Sequence, residues 1–419
     1  MLVLLFLFLL LANYLQMMFG GVHYYDEAIT IVGLFFIIFF RHDIKELDGN
    51  FRKMMVFILL ILTIGTISTV RYHIQPQFAG VWRDALAIMK FPICYYAYSL
   101  YSQHINLDKI NKQVVPLAKI FICICFILGL FTYCFRDLFE GILYRGERYG
   151  FPQYHMGFSH NTFLIAVVIM NMAVLIANGF KKNMSLVLLG AFCVVLTMRS
   201  KPMFVLVFLA TVWYLRERNK SFRFTKMNIF CYSVLILLLT FVLISSQLSD
   251  YIVYGENAAR GACYYYGVDI ANDHFPLGSG YCTFSSSLSG TYYSPLYYEY
   301  GLSEMEGLTP ENFNYAADTF WPNIYSQYGW IGLVLYFFML YYMMQTINRR
   351  FILLSDQWVA GMLLLLYCIS AAFAESIYTN STAIDYALVL ALFIGKNNEN
   401  SSANSIPLIW RRRKIYCRS

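Results

Sequence analysis

Long apolar runs constrain this chain more than any other feature. They lie near 1–19, 24–40, 54–70, 84–101, 115–134, 158–179, 184–198, 202–215, 227–246, 327–346, 357–374 and 380–395. A helix needs about 20 such residues to cross a hydrocarbon core. Away from water the backbone must satisfy its own hydrogen bonds, which a helix does within one segment. The chain is 59% hydrophobic and 13% charged, whereas soluble domains carry about 25% charged residues. The expected fold class is an all-α polytopic integral membrane protein with about twelve transmembrane helices. The first run lacks a basic flank and a cleavage site, so it reads as a span rather than a removed signal peptide.

Lysines and arginines between the runs set the orientation, because cytoplasmic connections hold an excess of them. One face collects Arg41, Lys45, Arg52 and Lys53, then Lys109 and Lys112, then Lys181 and Lys182. The same face collects Arg216, Arg218, Lys220, Arg223 and Lys226, then Arg349 and Arg350, then Arg411, Arg412, Arg413 and Lys414. Twelve spans with both termini in the cytoplasm place all of these groups inside. The net charge of +7 is thus a topology signal and argues against a nucleic-acid partner. The expected organisation is transmembrane helices 1–9 over 1–245, an outer loop over 246–326, helices 10–12 over 327–395 and a basic cytoplasmic tail over 396–419.

The outer loop is long for a connection, and such loops are either functional or disordered. Its many aromatics and low net charge argue against disorder. Cys263 and Cys282 share it, and a disulfide between them is compatible with an oxidising compartment. The remaining cysteines read as small apolar residues of the spans. No metal-ligand spacing is present, and no cofactor is expected.

Outside the membrane, basic residues are sparse and need a reason. They are Arg71 and Arg83 with His73; Arg136, Arg145 and Arg148 with His155 and His160; Arg199 and Lys201; and Arg260. Charge near the membrane normally faces a cavity or a partner. Guanidinium forks match phosphate and carboxylate oxygens. For Arg83 and Arg136 the favoured reading is pairing with nearby acids or snorkelling to lipid. For Arg199 and Arg260 it is a bound anion. Arg199-Ser-Lys201 joins two short apolar runs and sets two cations at the interface, where a structural turn would need only Gly or Asn.

The loop continues with Asp273-His274-Phe-Pro-Leu-Gly278-Ser-Gly280-Tyr-Cys-Thr-Phe284, whose Pro276, Gly278 and Gly280 mark a special turn. Then come Asp318-Thr-Phe-Trp-Pro322 and Gln327-Tyr-Gly329-Trp-Ile-Gly332 at the opening of the next span. An arginine, a short helix, an Asp-x-x-Pro-x-Gly-x-Gly-(x)3-Phe turn and a Gly-x-Ile-Gly opening resemble the O-antigen polymerase and O-antigen ligase superfamily. Leu-Thr-Met-Arg199-Ser-Lys is similar to that family's Thr-x-Ser-Arg segment, although here the arginine precedes the serine. The resemblance covers about 185–345 in motifs and the rest in topology. Ligases of the superfamily place a histidine late in the loop. Here none follows His274, and Asp318-Thr-Phe-Trp looks more like the polymerases.

The resemblance implies a metal-independent glycosyltransferase at the periplasmic face of the bacterial inner membrane. Its donor and acceptor would be undecaprenyl-diphosphate-linked oligosaccharides, and a chain-length regulator protein is an implied partner beside the membrane lipids. Arg199, Lys201 and Arg260 would bind the diphosphate, with Arg145 and Arg148 behind them. Asp318 is the first candidate for a general base, then His274 and His160. Against this, Asp318 can be an N-cap and His160 a hydrogen-bonded span residue. Two alternatives remain: an O-antigen ligase acting on lipid A-core, and a polysaccharide flippase. A flippase would have internal repeats and midplane sites. No repeat is evident, and Asp84, Lys90, Glu375 and Asp385 are the main charges inside the spans.

Overall fold

The computed structural model describes residues 2–45, 48–148, 150–199, 203–218 and 255–394. Helices dominate. They are α1 (Leu2–Met18), α2 (Tyr25–Phe39), α3 (Gly49–Tyr72), α4 (Phe78–Tyr101), α5 (Leu107–Cys134) and the single turn α6 (Arg136–Phe139). A β-hairpin follows, β1 (Tyr144–Arg148) antiparallel to β2 (Phe151–Tyr154). Then come α7 (Asn161–Ala177), α8 (Met184–Leu196) and α9 (Met203–Arg218). After 219–254, which lie outside the described residues, the chain continues with α10 (Ala259–Asp273), α11 (Ser287–Thr291) and α12 (Pro295–Glu299). It ends in α13 (Trp321–Arg350), α14 (Asp356–Ala371) and α15 (Ser381–Leu392).

This is the helical architecture of a membrane protein. Among the described residues four helices are long and apolar enough to cross a bilayer: Gly20–Phe39, Gly49–Tyr72, Leu107–Cys134 and Trp321–Arg350. Further apolar helices of 10–17 residues, α7 and α8 among them, are shorter than that measure. Each apolar run of the sequence coincides with a helix except 227–246, which lies outside the described residues.

Buried charges of the helices have structural partners. Lys90 of α4 donates to Asp26 at 2.6 Å and to Glu27 at 2.9 Å, both on α2. Tyr25 Oη donates to Asp385 of α15 at 3.0 Å. A charge buried without such a partner would be far costlier.

The segment 255–320 forms a lobe with its own small core, which includes Cys263, Ile270, Phe284, Leu296, Tyr297 and Leu308. Cys263 and Cys282 are both free thiols, so the suggested disulfide is not formed. They belong to different packing layers. Cys263 faces the core of the lobe, whereas Cys282 packs on Gly80 of α4.

The lobe is fastened to the membrane helices at a break in α13. That helix begins at Trp321, ahead of the apolar run, and Gly329 interrupts it with φ 67° and ψ −177°. An interrupted helix leaves carbonyls without partners, which is tolerated at membrane depth only where protein re-satisfies them. Here the Pro276–Phe284 turn does so. Ser279 N donates to Ser326 O at 2.8 Å and Gly280 N to Gln327 O at 2.9 Å. The approach is close enough that a Cβ on Gly329 would lie 2.1 Å from Pro276 O, and one on Gly278 would lie 2.3 Å from Gly329 N.

Polar groups of α3 and α4 complete the fastening. Ser68 Oγ donates to Leu277 O at 2.9 Å, and Thr69 Oγ1 accepts from Tyr281 N at 2.9 Å. The Asp84 carboxylate accepts from Cys282 N at 2.8 Å. Tyr281 crosses α3 at Gly65 and donates to Leu62 O at 2.6 Å. The Gly-x-Gly turn and the Gly329 motif are thus the two halves of one joint. Gly329→Ala forces a side chain into a positive-φ, sterically closed position, and a loss of at least ~2 kcal/mol is expected. Thermal unfolding of the detergent-purified protein checks this. An unchanged midpoint would contradict the joint.

Candidate functional site

Five chain segments converge on a cavity of about 470 Å³. Its lining includes His160, Arg199, Arg260, Tyr315, Asp318 and Glu375. Each is delivered by local structure.

α8 ends at Thr197, and Met198 then takes the left-handed conformation with φ 52°. Such a residue turns the chain out of a helix, and in a non-glycine it marks a constrained site. The following Arg199 thereby meets the N-terminus of α7. Its Nη2 lies 3.1 Å from His160 Nε2 and 3.1 Å from Asn161 Oδ1. A guanidinium can only donate. His160 Nε2 therefore accepts, while Nδ1 lies 2.8 Å from Thr162 Oγ1 and 3.3 Å from Thr162 N at the start of α7. Arg199 Nε is buried and makes no hydrogen bond among the described residues. Burial, then the nearby Arg148 and Arg260 guanidiniums, pull the Arg199 pKa down, while Asp318 and Glu375 oppose the shift. Two further cations and two carboxylates therefore act on Arg199.

Arg260 occupies the first turn of α10, whose N-cap Ala258 supplies no capping side chain. A cation there opposes the helix dipole, so local folding does not favour it. Asp318 offsets this. Arg260 Nε donates to Asp318 Oδ2 at 2.8 Å, and Nη2 donates to the same oxygen. The carboxylate is held by its own turn, with Asp318 N donating to Tyr315 O at 3.1 Å. Backbone bonds from Phe320 N to Ala372 O (3.1 Å) and from Ser376 N to Ala317 O (3.2 Å) tie this turn to the C-terminal end of α14. That tie brings in Glu375, whose Oε1 accepts from Asn380 Nδ2 at 3.3 Å.

The sequence-predicted residues divide accordingly. Arg199, Arg260, Asp318 and His160 share the cavity, and Arg148 is near enough to act on Arg199. Asp318 is not an N-cap, because α13 starts after Phe320 without a side-chain cap. His160 is the N-cap residue of α7 and faces the cavity as well. Lys201 lies outside the described residues. Arg145 lies on the exposed side of β1. It acts on His155, whose pKa is lowered first by burial and then by that cation. His274 sits away from the cavity: its Nδ1 is 2.9 Å from Ile270 O and its ring packs edge-on to Tyr72. Arg136 pairs with Glu147 at 3.4 Å and Arg83 lies over Tyr24, as expected for structural cations.

Residues 184–337 match a family model described as O-antigen ligase. This segment carries the signature of the O-antigen polymerase and ligase superfamily. It runs from the first residue of α8 into α13, and so contains Arg199, Arg260, Asp318 and both halves of the Gly278–Gly329 joint. The match supports an enzyme of that superfamily, acting in surface-polysaccharide biosynthesis at a membrane. No curated protein matches the chain significantly.

Sequence reading passed over Asn161, Tyr315 and the site role of Glu375. Asn161 looks like the first residue of a span. Glu375 looked like an isolated intramembrane charge, because its proximity to Asp318 depends on long-range backbone bonds. Among the described residues no group of three or more His, Cys, Asp or Glu is arranged to hold a metal. Two guanidinium groups, Arg199 and Arg260, line the cavity and present donors suited to an anion.

Arg260 and Asp318 are both only partly exposed, at 35% and 27% of their side chains. Breaking the pair from either side is expected to cost roughly 1–3 kcal/mol. A double-mutant cycle with Arg260→Ala and Asp318→Ala should show coupling rather than additivity. Additive losses in denaturant unfolding would mean that the two groups are independent.

Proposed function

We propose that the protein is a polysaccharide polymerase of the bacterial inner membrane. It spans the membrane about twelve times, with both termini cytoplasmic, and works at the periplasmic face without a metal. It joins undecaprenyl-diphosphate-linked repeat units, the growing glycan being the donor and the next lipid-linked unit the acceptor. A chain-length regulator is its proposed partner. The observation that carries the reading is the outer cavity in which Arg199 and Arg260 converge, with Asp318 on Arg260.

In the reaction a hydroxyl of the acceptor sugar attacks the anomeric carbon of the donor. The new C–O bond forms as the bond to the diphosphate oxygen breaks, and the hydroxyl proton passes to a base. Undecaprenyl diphosphate departs with the electron pair. Fixed cations aimed at that departing charge lower the barrier, because they need no reorganisation when it develops. Arg199 and Arg260 hold the two phosphates, with Lys201 and Arg148 adding charge. Asp318 anchors Arg260 by accepting from its guanidinium. The arriving diphosphate competes for the same fork and releases the carboxylate toward the acceptor hydroxyl, where it acts as general base.

The flippase alternative is weakened because Asp84, Lys90 and Asp385 are committed to structural hydrogen bonds and ion pairs. The ligase alternative has the description of the matching family in its favour.

Deletion and complementation in the host separate the three. Loss of the polymerase collapses the polysaccharide ladder to a single repeat unit on its lipid core. Loss of a ligase leaves the core bare, with long chains on the carrier. Loss of a flippase traps single units inside. Arg260→Ala and Arg199→Ala are expected to fail to restore the ladder, with in vitro rates reduced about 10²-fold or more. Arg260→Lys should rescue poorly, because an ammonium lacks the planar fork.

A further inference from the structure

The cavity has a second chemical character beside its charge. On the lobe side it is walled by Asn314 and Tyr315, ahead of Asp318. Tyr315 is a large aromatic left 45% exposed, although the lobe has a core that could have taken it. Its ring is held in place all the same. Gly307 backs it at positive φ, 86°, so closely that a Cβ there would lie 1.9 Å from Tyr315 Cδ2. Tyr315 N donates to Gly307 O at 3.0 Å, and Tyr315 O accepts from Asp318 N at 3.1 Å. The aromatic surface and the carboxylate are therefore fixed in one rigid turn. The phenolic oxygen makes no hydrogen bond among the described residues, so the ring is not kept there by its hydroxyl. Asn314 next to it is exposed, lines the cavity, and donates from Nδ2 to Asn312 Oδ1 at 2.7 Å.

We propose that Tyr315 and Asn314 form a sugar subsite, in which the ring stacks on the C–H face of a pyranose and the Asn314 amide takes a hydroxyl. The C–H bonds of a sugar face carry partial positive charge and complement the negative face of an aromatic ring. A rigid aromatic with one adjacent amide is the usual makeup of a site that orients a neutral ligand. Diphosphate recognition by the arginines does not distinguish one lipid-linked glycan from another. The Tyr315 subsite reads the sugar, and it holds that sugar beside Asp318. This inference rests on the proposed function, because it places a glycan in the same cavity as the diphosphate.

The test compares two probes on the full-length protein in nanodiscs. One is undecaprenyl diphosphate without sugar. The other is the lipid-linked repeat unit extracted from host membranes lacking this gene. Wild type should bind the sugar-bearing lipid more tightly than the bare one. Tyr315→Ala should weaken binding of the sugar-bearing lipid by about five- to tenfold and leave the bare lipid unchanged. Tyr315→Phe should behave as wild type, since stacking needs the ring and not the hydroxyl. An unchanged preference in Tyr315→Ala would overturn the subsite. Equal loss of both lipids in that variant would also overturn it, since the ring would then only support the fold. Binding of neither lipid by wild type would refute the proposed function itself, and the subsite with it.

Discussion

The break in α13 at Gly329 is the constraint on which the rest of the site depends. A helix interrupted among membrane helices must have its freed carbonyls satisfied by protein. The backbone of the Pro276–Phe284 turn does this for Ser326 and Gln327. In exchange the turn gains a fixed depth and direction, and the lobe attached to it is set over the helices. The Gly278 and Gly329 backbones meet where no side chain fits. Register at the joint is therefore decided by sterics as well as hydrogen bonds. Ser68, Thr69 and Asp84 then hold the turn from the other side.

From that joint outward the placement of charge follows. α10 precedes the turn and carries Arg260 in its first turn, while the Tyr315–Asp318 turn leads directly into α13. Fixing the turn against α13 thus brings Arg260 to Asp318 across fifty-eight residues of chain. Arg199 comes from a separate part of the bundle and is aimed by the N-terminus of α7. Arg199 sits close enough to Arg148 and Arg260 that, with burial, they disfavour its charge, and Asp318 and Glu375 offset only part of this. A cavity lined by such cations is complementary to a multiply charged anion.

Much of this was legible in the residues, for identifiable reasons. Apolar runs announce helices because the bilayer imposes length and apolarity together. Arg199 and Arg260 stood out because cations are scarce on the outer face. The glycines of the turn were recognisable as special backbone positions, but their partner was not. That Gly278 meets Gly329 is a contact between segments fifty-one positions apart, and neither segment encodes the other locally. His274 lies beside those glycines in sequence and looked equally functional, yet the end of α10 turns its ring onto Tyr72. Asp318 read equally well as an N-cap until the start of α13 and the position of Arg260 were known. Cys263 and Cys282 share a loop, but α10 buries one thiol in the lobe while the turn presses the other against α4.

The sequence by itself determined the helical membrane class, the presence of a long polar segment between apolar runs and the identity of its cations. Those properties depend on composition and on one-dimensional spacing, which the bilayer reads directly. The tertiary structure alone decided which of the polar residues share a cavity. It joined Arg199 to His160 and Asn161, Arg260 to Asp318, and Glu375 and Tyr315 to the same wall. Those meetings are set by where a broken helix accepts hydrogen bonds and by where a backbone can pass without a side chain, and both are properties of packed segments rather than of any one of them.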